Sequence, residues 1–177
     1  GKPISSKIRN EQMTNAIEKA AQLLIENELT IAFAESATAG KASSEFSFAC
    51  NAGKFLKGAF VCYDAALKIR HLNVPEEIIE EYTPESMEVT KAIADGLGKL
   101  IDADILIGIT GLPCSGGSET PEKPVGTMFI YAILKGRPWF SERLHFEGTH
   151  LQILDQTIEH IALTLCKMLS NNQDTKA

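Results

Sequence analysis

LTIAFAESATAGKASSEF, residues 29–46, contains a strand, a turn and the opening of a helix in immediate succession. Residues 29–34 form a short apolar run rich in strand formers, and ESATAGKASSEF then brings small and polar residues that turn the chain and begin a helix. Upstream, Met13, Ile17, Ala20, Ala21 and Leu24 recur at helical intervals among charged residues, which predicts an amphipathic helix over about residues 6–28. The order helix, strand, loop, helix is that of an α/β sheet covered on its faces.

Downstream, GAFVCY, ending at Tyr63, is read as a second buried strand, and AALKIRHL as a short helix stopped by Asn73 and Pro75. After PEEIIEEY, the stretch PESMEVTKAIADGLGKLI presents Val89, Ile93, Leu97 and Leu100 on one helical face, with Pro84 suited to its first turn. ILIGIT, residues 105–110, is a third apolar strand. It runs into GLPCSGGSETPEKPVG, a long loop rich in Gly, Pro and Ser of the kind that carries function. TMFIYAIL and WFSERLHF, separated by KGRP, should pair as an antiparallel hairpin. A last helix is expected from about His150 to Leu169, with a frayed polar tail over about 170–177. Together these segments predict a single domain over residues 1–177, a three-layer α/β/α sandwich with a mixed, mostly parallel sheet of about five strands.

The composition, 44% hydrophobic, supports one good core, and the net charge of -6 argues against a nucleic-acid or anionic-membrane partner. A small-molecule substrate remains, because such a ligand needs only a few local donors. Cys50, Cys62, Cys114 and Cys166 show no paired spacing, and neither a signal peptide nor a long apolar span is apparent, so a reducing cytoplasm is expected. His71, His145, His150 and His160 lack the spacing of a zinc site, and no metal or other cofactor is expected.

Two loops leave the carboxyl ends of buried strands, and open α/β sheets place ligands in that crevice. Ser36 stands in the first, at the mouth of a helix, where free N–H groups favour a developing oxyanion; an ordinary N-cap role for Ser36 or Thr38 explains the same position. A serine nucleophile needs a proton acceptor. Lys68 suits that role if desolvation lowers its pKa, with Tyr63 relaying the proton or orienting the amine; a solvated lysine and a strand-end aromatic are the bland alternatives. In the second loop Gly111, Gly116 and Gly117 allow close backbone approach, and Thr110, Ser115 and Ser118 add hydroxyls, a set able to cradle a phosphate or carboxylate. Lys123 and Thr127 flank the return strand in KPVGT. A P-loop is excluded: Glu35 stands where the first glycine must turn, and Ala42 where a magnesium-binding hydroxyl belongs.

AESATAG at residues 34–40, VCYDAALK at 61–68 and GITGLPCSGGSETPEKPVGT at 108–127 together resemble the CinA C-terminal domain family, which includes nicotinamide mononucleotide deamidases. That family's pattern runs approximately AES(C)TGG, VxYxxxxK and GxxGPGG…PEKPVGT, and the likeness extends from Met13 to Leu169. The resemblance implies hydrolysis of the carboxamide of nicotinamide mononucleotide to the acid and ammonia, in pyridine-nucleotide salvage. It places the family's serine, tyrosine and lysine on Ser36, Tyr63 and Lys68. Amides near Ala37 and Thr38 would stabilise the oxyanion, and Glu35 would either contact substrate or hold the turn. A homodimer or higher homo-oligomer is expected, and the chain as given lacks the upstream domain of the two-domain CinA arrangement.

Departures accompany the match. Ala37 and Ala39 replace a cysteine and a glycine, and Asp64, Ala65 and Ala66 replace a polar SNE. Where the family carries FxGDR and a further arginine, this chain reads FEGTH and then LQILDQ, leaving His150, Leu154 and Asp155 at basic positions. Each charge-assisted hydrogen bond missing there would weaken phosphate binding by about 1.5–3 kcal/mol. The alternative to an amidase is therefore a non-catalytic nucleotide-binding member of the same fold, and after it a scaffold.

Overall fold

The computed structural model describes residues 10–174, with side chains to residue 171. The elements are α1 (Glu11–Glu26), β1 (Ile31–Glu35), α2 (Lys41–Ser47), a short 3₁₀ turn (Ala52–Lys54), β2 (Leu56–Val61), α3 (Ala65–Leu72), α4 (Glu76–Tyr82), α5 (Met87–Leu100), β3 (Ile105–Gly111), β4 (Thr127–Leu134), β5 (Arg137–His145) and α6 (His150–Asp174). One five-stranded sheet has the order β2-β1-β3-β4-β5. β1 is parallel to both β2 and β3, and β4 is antiparallel to β3 and β5, so β4 alone runs against the others.

Side chains alternate across the sheet and build a core on each face. On one face Phe33, Ile107 and Ile130 meet Ile17 and Leu24 of α1, Phe46 of α2 and Ile158 and Ile161 of α6. On the other, Ala34, Leu106 and Ile133 meet Leu72 of α3 and Val89, Ile93 and Leu97 of α5. The sandwich is therefore three-layered, as the sequence predicts. Gly108 lets α5 press onto β3, because a Cβ there would stand 2.5 Å from the Thr90 carbonyl oxygen. The β4–β5 hairpin closes through Lys135 and Gly136, both at positive φ (49° and 79°), the backbone that a two-residue hairpin turn requires.

The structure revises four expectations. The second strand is half-exposed, because β2 is a sheet edge with a neighbour on one side only, and it ends at Val61. Pro84 precedes α5: Thr83 turns the chain at φ 72°, and Ser86 is the cap, its hydroxyl accepting from Val89 N at 3.2 Å. α6 continues past Leu169 to Asp174. α1 begins at Glu11 behind an Asn10 cap that accepts from Met13 N at 3.1 Å, and the first residues of the expected helix lie outside the described ones. Among the described residues no helix is long and apolar enough to cross a membrane.

Because β2 and β3 flank β1 on opposite sides, the chain leaving β1 heads for β2 and the chain leaving β3 heads away from it to β4, which opens a crevice at their carboxyl ends.

Candidate active site

A cleft of about 240 Å3 occupies that crevice. Ser36 and Ala37 enter it from the turn after β1, Tyr63 from the end of β2, Glu85 from the α4–α5 turn, and residues 111–117 from the glycine-rich loop. A groove of about 420 Å3 beside Leu72, Ile78 and Tyr82 is larger, but it is lined by neither serine nor cysteine and lies away from the strand ends.

The turn after β1 is organised by Glu35. Its carboxylate is fully buried and accepts four hydrogen bonds, from Thr38 Oγ1 at 2.7 Å, Ala42 N at 2.8 Å, Ser43 N at 3.0 Å and Ser43 Oγ at 2.7 Å. Two of these donors are first-turn amides of α2, whose N-cap is Gly40 and supplies no side chain. Glu35 thus caps the helix from upstream and meets its positive end. Two expectations change accordingly. Glu35, read either as a substrate contact or as holding the turn, holds the turn, and Thr38, read as a substrate contact, is buried and bonded to it. The N-cap role considered for Ser36 and Thr38 belongs to neither, and the helix's end charge serves Glu35 rather than an oxyanion.

Ser36 is released by this arrangement. Its N–H donates to Ile109 O at 3.0 Å and its carbonyl accepts from Ala39 N at 3.1 Å, while its hydroxyl bonds no described residue. The N–H groups of Ala37 and Thr38 likewise donate to no described residue. Ser36, partly exposed, and Ala37 line the cleft, and the unengaged amide of the buried Thr38 follows them in the same turn.

Lys68 sits on α3 with 1% of its surface exposed, far from the solvated lysine that was its alternative. Its ammonium donates to Cys62 O at 2.8 Å and, more weakly, to Tyr63 O at 3.4 Å. Cys62 is itself tied to the first turn, its N–H reaching Glu35 O at 2.9 Å, so the amine lies under the chain segment that flanks Ser36. No hydrogen bond joins Lys68 to Ser36. Burial pulls the Lys68 pKa below its ordinary value against the opposing pull of Cys62, Glu85 and Asp64. Tyr63 lines the cleft and is 64% exposed; its side chain is a wall of the site, and only its backbone carbonyl meets the amine.

The glycine-rich loop is zipped at its base, where Leu112 N donates to Thr127 O at 2.9 Å and Gly126 N to Leu112 O at 2.7 Å. Gly111 is required there, since a Cβ would meet Met128 Sδ at 2.3 Å. Gly111, Ser115, Gly116 and Gly117 line the cleft. The other expected contacts point elsewhere. Thr110 is buried and its hydroxyl pairs with that of Thr90 on α5 at 2.8 Å; Thr127 donates to Pro124 O at 2.7 Å. Lys123 reaches Thr83 Oγ1, Glu85 O at 2.8 Å and Ser118 Oγ at 3.0 Å, so it fastens the loop to the α4–α5 turn. Burial lowers its pKa, opposed by Glu85.

Glu85 is a cleft residue that the sequence reading missed, since PES looks like an ordinary helix entry. Its carboxylate accepts from Ser118 Oγ. Of the positions where arginines were expected, His150 opens α6 on the surface, Leu154 is buried in the core, and Asp155 pairs with Lys41 at 3.0 Å.

A family model for the CinA C-terminal domain matches residues 13–169. A CinA-like protein of Dictyoglomus thermophilum is 38% identical over 141 residues, covering 80% of this chain and 34% of the relative. A putative competence-damage inducible protein of Clostridium botulinum is 36% identical over 142 residues, with the same shares of 80% and 34%. The chain thus spans about a third of the length of these relatives. Among solved structures, a competence-damaged protein (CinA) superfamily protein of Escherichia coli aligns with a TM-score of 0.81 at 29% identity, over 92% of this chain and 94% of that one. One from Klebsiella pneumoniae aligns with a TM-score of 0.84 at 22% identity, over 90% and 98%, and establishes the likeness of fold.

Proposed function

We propose, from the premise that this chain belongs to the CinA C-terminal domain family, that it is an amidohydrolase converting the carboxamide of nicotinamide mononucleotide, or of a related amide, to the acid with release of ammonia. The observation that carries the reading is the coincidence, in one turn at the switch point of the sheet, of a free Ser36 hydroxyl with the unengaged amides of Ala37 and Thr38.

Ser36 Oγ attacks the amide carbon, and the oxygen that becomes negative is received by those two amides, which are fixed beforehand by the Glu35-bonded turn. Lys68 takes the serine proton. Burial favours its neutral form, and a neutral amine whose two hydrogens rest on Cys62 O and Tyr63 O has its lone pair left over to accept a third. Collapse of the tetrahedral adduct breaks the C–N bond; the proton returns to nitrogen, ammonia leaves, and Ser36 holds an ester. Water then loses a proton to Lys68 and attacks the ester, releasing the acid and restoring the hydroxyl. Tyr63 lies over the cleft, where a bound ring would cover it.

Ammonia release from nicotinamide mononucleotide is the test. Ser36→Ala should lower kcat by about 10³-fold or more with little change in ligand binding. Turnover that survives the substitution would remove Ser36 from the reaction, and ligand binding without turnover in the unmutated chain would favour the non-catalytic reading.

A further inference from the structure

The cleft contains no lysine or arginine among its lining residues, so an anionic ligand entering it would be held by backbone N–H groups and hydroxyls. Two such donors are already holding an anion. Gly116 N donates to Glu119 Oε1 and Gly117 N to Glu119 Oε2, each at 2.8 Å, so the two amides divide the two carboxylate oxygens between them. Successive amides presented in this way form a concave anion-binding surface.

We propose that the Gly116–Gly117 amides are an anion subsite of the cleft, which Glu119 fills when the protein is free and vacates for a phosphate monoester or other tetrahedral oxyanion. The inference rests on reading the Ser36 cleft as the ligand site. Both glycines line that cleft, whereas Glu119 does not. Gly116, at φ 100°, has open space where a side chain would be, which leaves its backbone bare to a ligand.

Glu119 is built to leave. It is exposed, and among the described residues no lysine or arginine pairs with it. Its carboxyl is held below the ordinary value first by the Gly116 amide, then by its own N–H and by the Gly117 amide, so backbone donors and no cation stabilise its charge. The neighbouring carboxylates differ. Glu35 could not move without stranding four buried or part-buried donors, and Glu85 accepts from Ser118 inside the Lys123 clamp. When Glu119 swings into water an incoming oxyanion takes over both amides, so the charge in the site is exchanged and not added. An internal occupant of this kind reduces the apparent affinity of an anion in proportion to the time the site is filled.

The test is titration of the full chain with inorganic phosphate, followed by calorimetry or thermal shift, for the unmutated protein, Glu119→Ala and Glu119→Gln. Phosphate should bind about tenfold more tightly to Glu119→Ala, with Glu119→Gln between the two. With nicotinamide mononucleotide as substrate the same variants should show a lower KM at unchanged kcat, while nicotinamide riboside, which lacks the phosphate, should show neither change. Phosphate affinity that stays the same or falls in both variants would overturn the proposal, as would an equal KM change for the two substrates; either result would make Glu119 a brace of the loop. Because the phosphate titration needs no turnover, an inactive protein would count against the amidase reading and still decide this one.

Discussion

The two walls of the cleft use the same chemistry to opposite ends. Each brings a carboxylate to a pair of backbone amides, Glu35 on the first wall and Glu119 on the second. Each also has a lysine of lowered pKa nearby in the chain's packing, Lys68 beneath Cys62 and Lys123 against Glu85. On the first wall the carboxylate is buried with four donors, and the turn bonds chiefly to itself and the adjoining helix. On the second the carboxylate is exposed, and the loop is moored to a distant turn by long side chains. In the proposed reaction the wall that would offer the nucleophile is the one fixed by buried bonds, and the wall that would offer ligand contacts carries the exposed carboxylate. Atoms that must sit within about half an ångström of a productive geometry belong on the first kind of wall.

The sharpest way to break this comparison is to remove the first carboxylate. Glu35→Gln replaces one acceptor oxygen with a donor that faces N–H and O–H groups, stranding buried donors beside it. We expect a loss of about 3–5 kcal/mol, read as a lower urea midpoint with an unchanged slope. A loss below about 1 kcal/mol would mean that the turn does not depend on this charge, and the contrast with Glu119 would collapse.

Lys68→Met tests the first wall's lysine. It should lower kcat by about 10²–10⁴-fold, as expected for a missing proton acceptor, while leaving stability little changed because a side chain of similar length fills the site. The pH dependence follows from the sign of the shift. The folded protein holds the Lys68 proton less tightly than the unfolded chain, so the rate should rise with pH and level off above a pKa lower than the ordinary 10.5. The destabilisation from charging this amine is fully present below the folded pKa and disappears as pH rises towards the unfolded value. A rate independent of pH through that window would take Lys68 out of proton transfer.

Much of the frame was legible in the sequence because periodicity and turn chemistry are local. α3 spans AALKIRHL and β4 spans TMFIYAIL with the expected ends, and the expected hairpin forms, though with a two-residue turn, since Arg137 and Pro138 of the KGRP connection belong to β5. The convergence of the two loops was also readable, since strand–loop–helix order places them at one edge. What escaped depends on three-dimensional partnership. β2 carries a core-like sequence yet sits at an edge, which only strand order decides. Thr110 and Thr127 flank a functional loop, but their hydroxyls serve Thr90 and Pro124. Glu35 caps a helix from seven residues away, beyond the spacing of any local capping signal.

The smallest effect concerns the strain that the first wall tolerates. Ala39 adopts φ 47°, a left-handed conformation that costs a residue with a Cβ about 1–2 kcal/mol. The strain persists because Glu35 fixes the chain on both sides, bonding Thr38 before it and Ala42 after it. Ala39→Gly removes the strain and loosens the unfolded chain, which offsets about 0.4–1 kcal/mol of the gain. The net should be a stabilisation of about 0.5 kcal/mol, or a melting point about 1–2 °C higher, with kcat unchanged because the turn's geometry is already set. In the second wall the same exchange runs the other way: Gly116 already has φ 100°, and an alanine there would import strain with no carboxylate cage to hold it. A lower melting point for Ala39→Gly would show that the first turn is relaxed as it stands, and rigidity would then have to come from its hydrogen bonds alone.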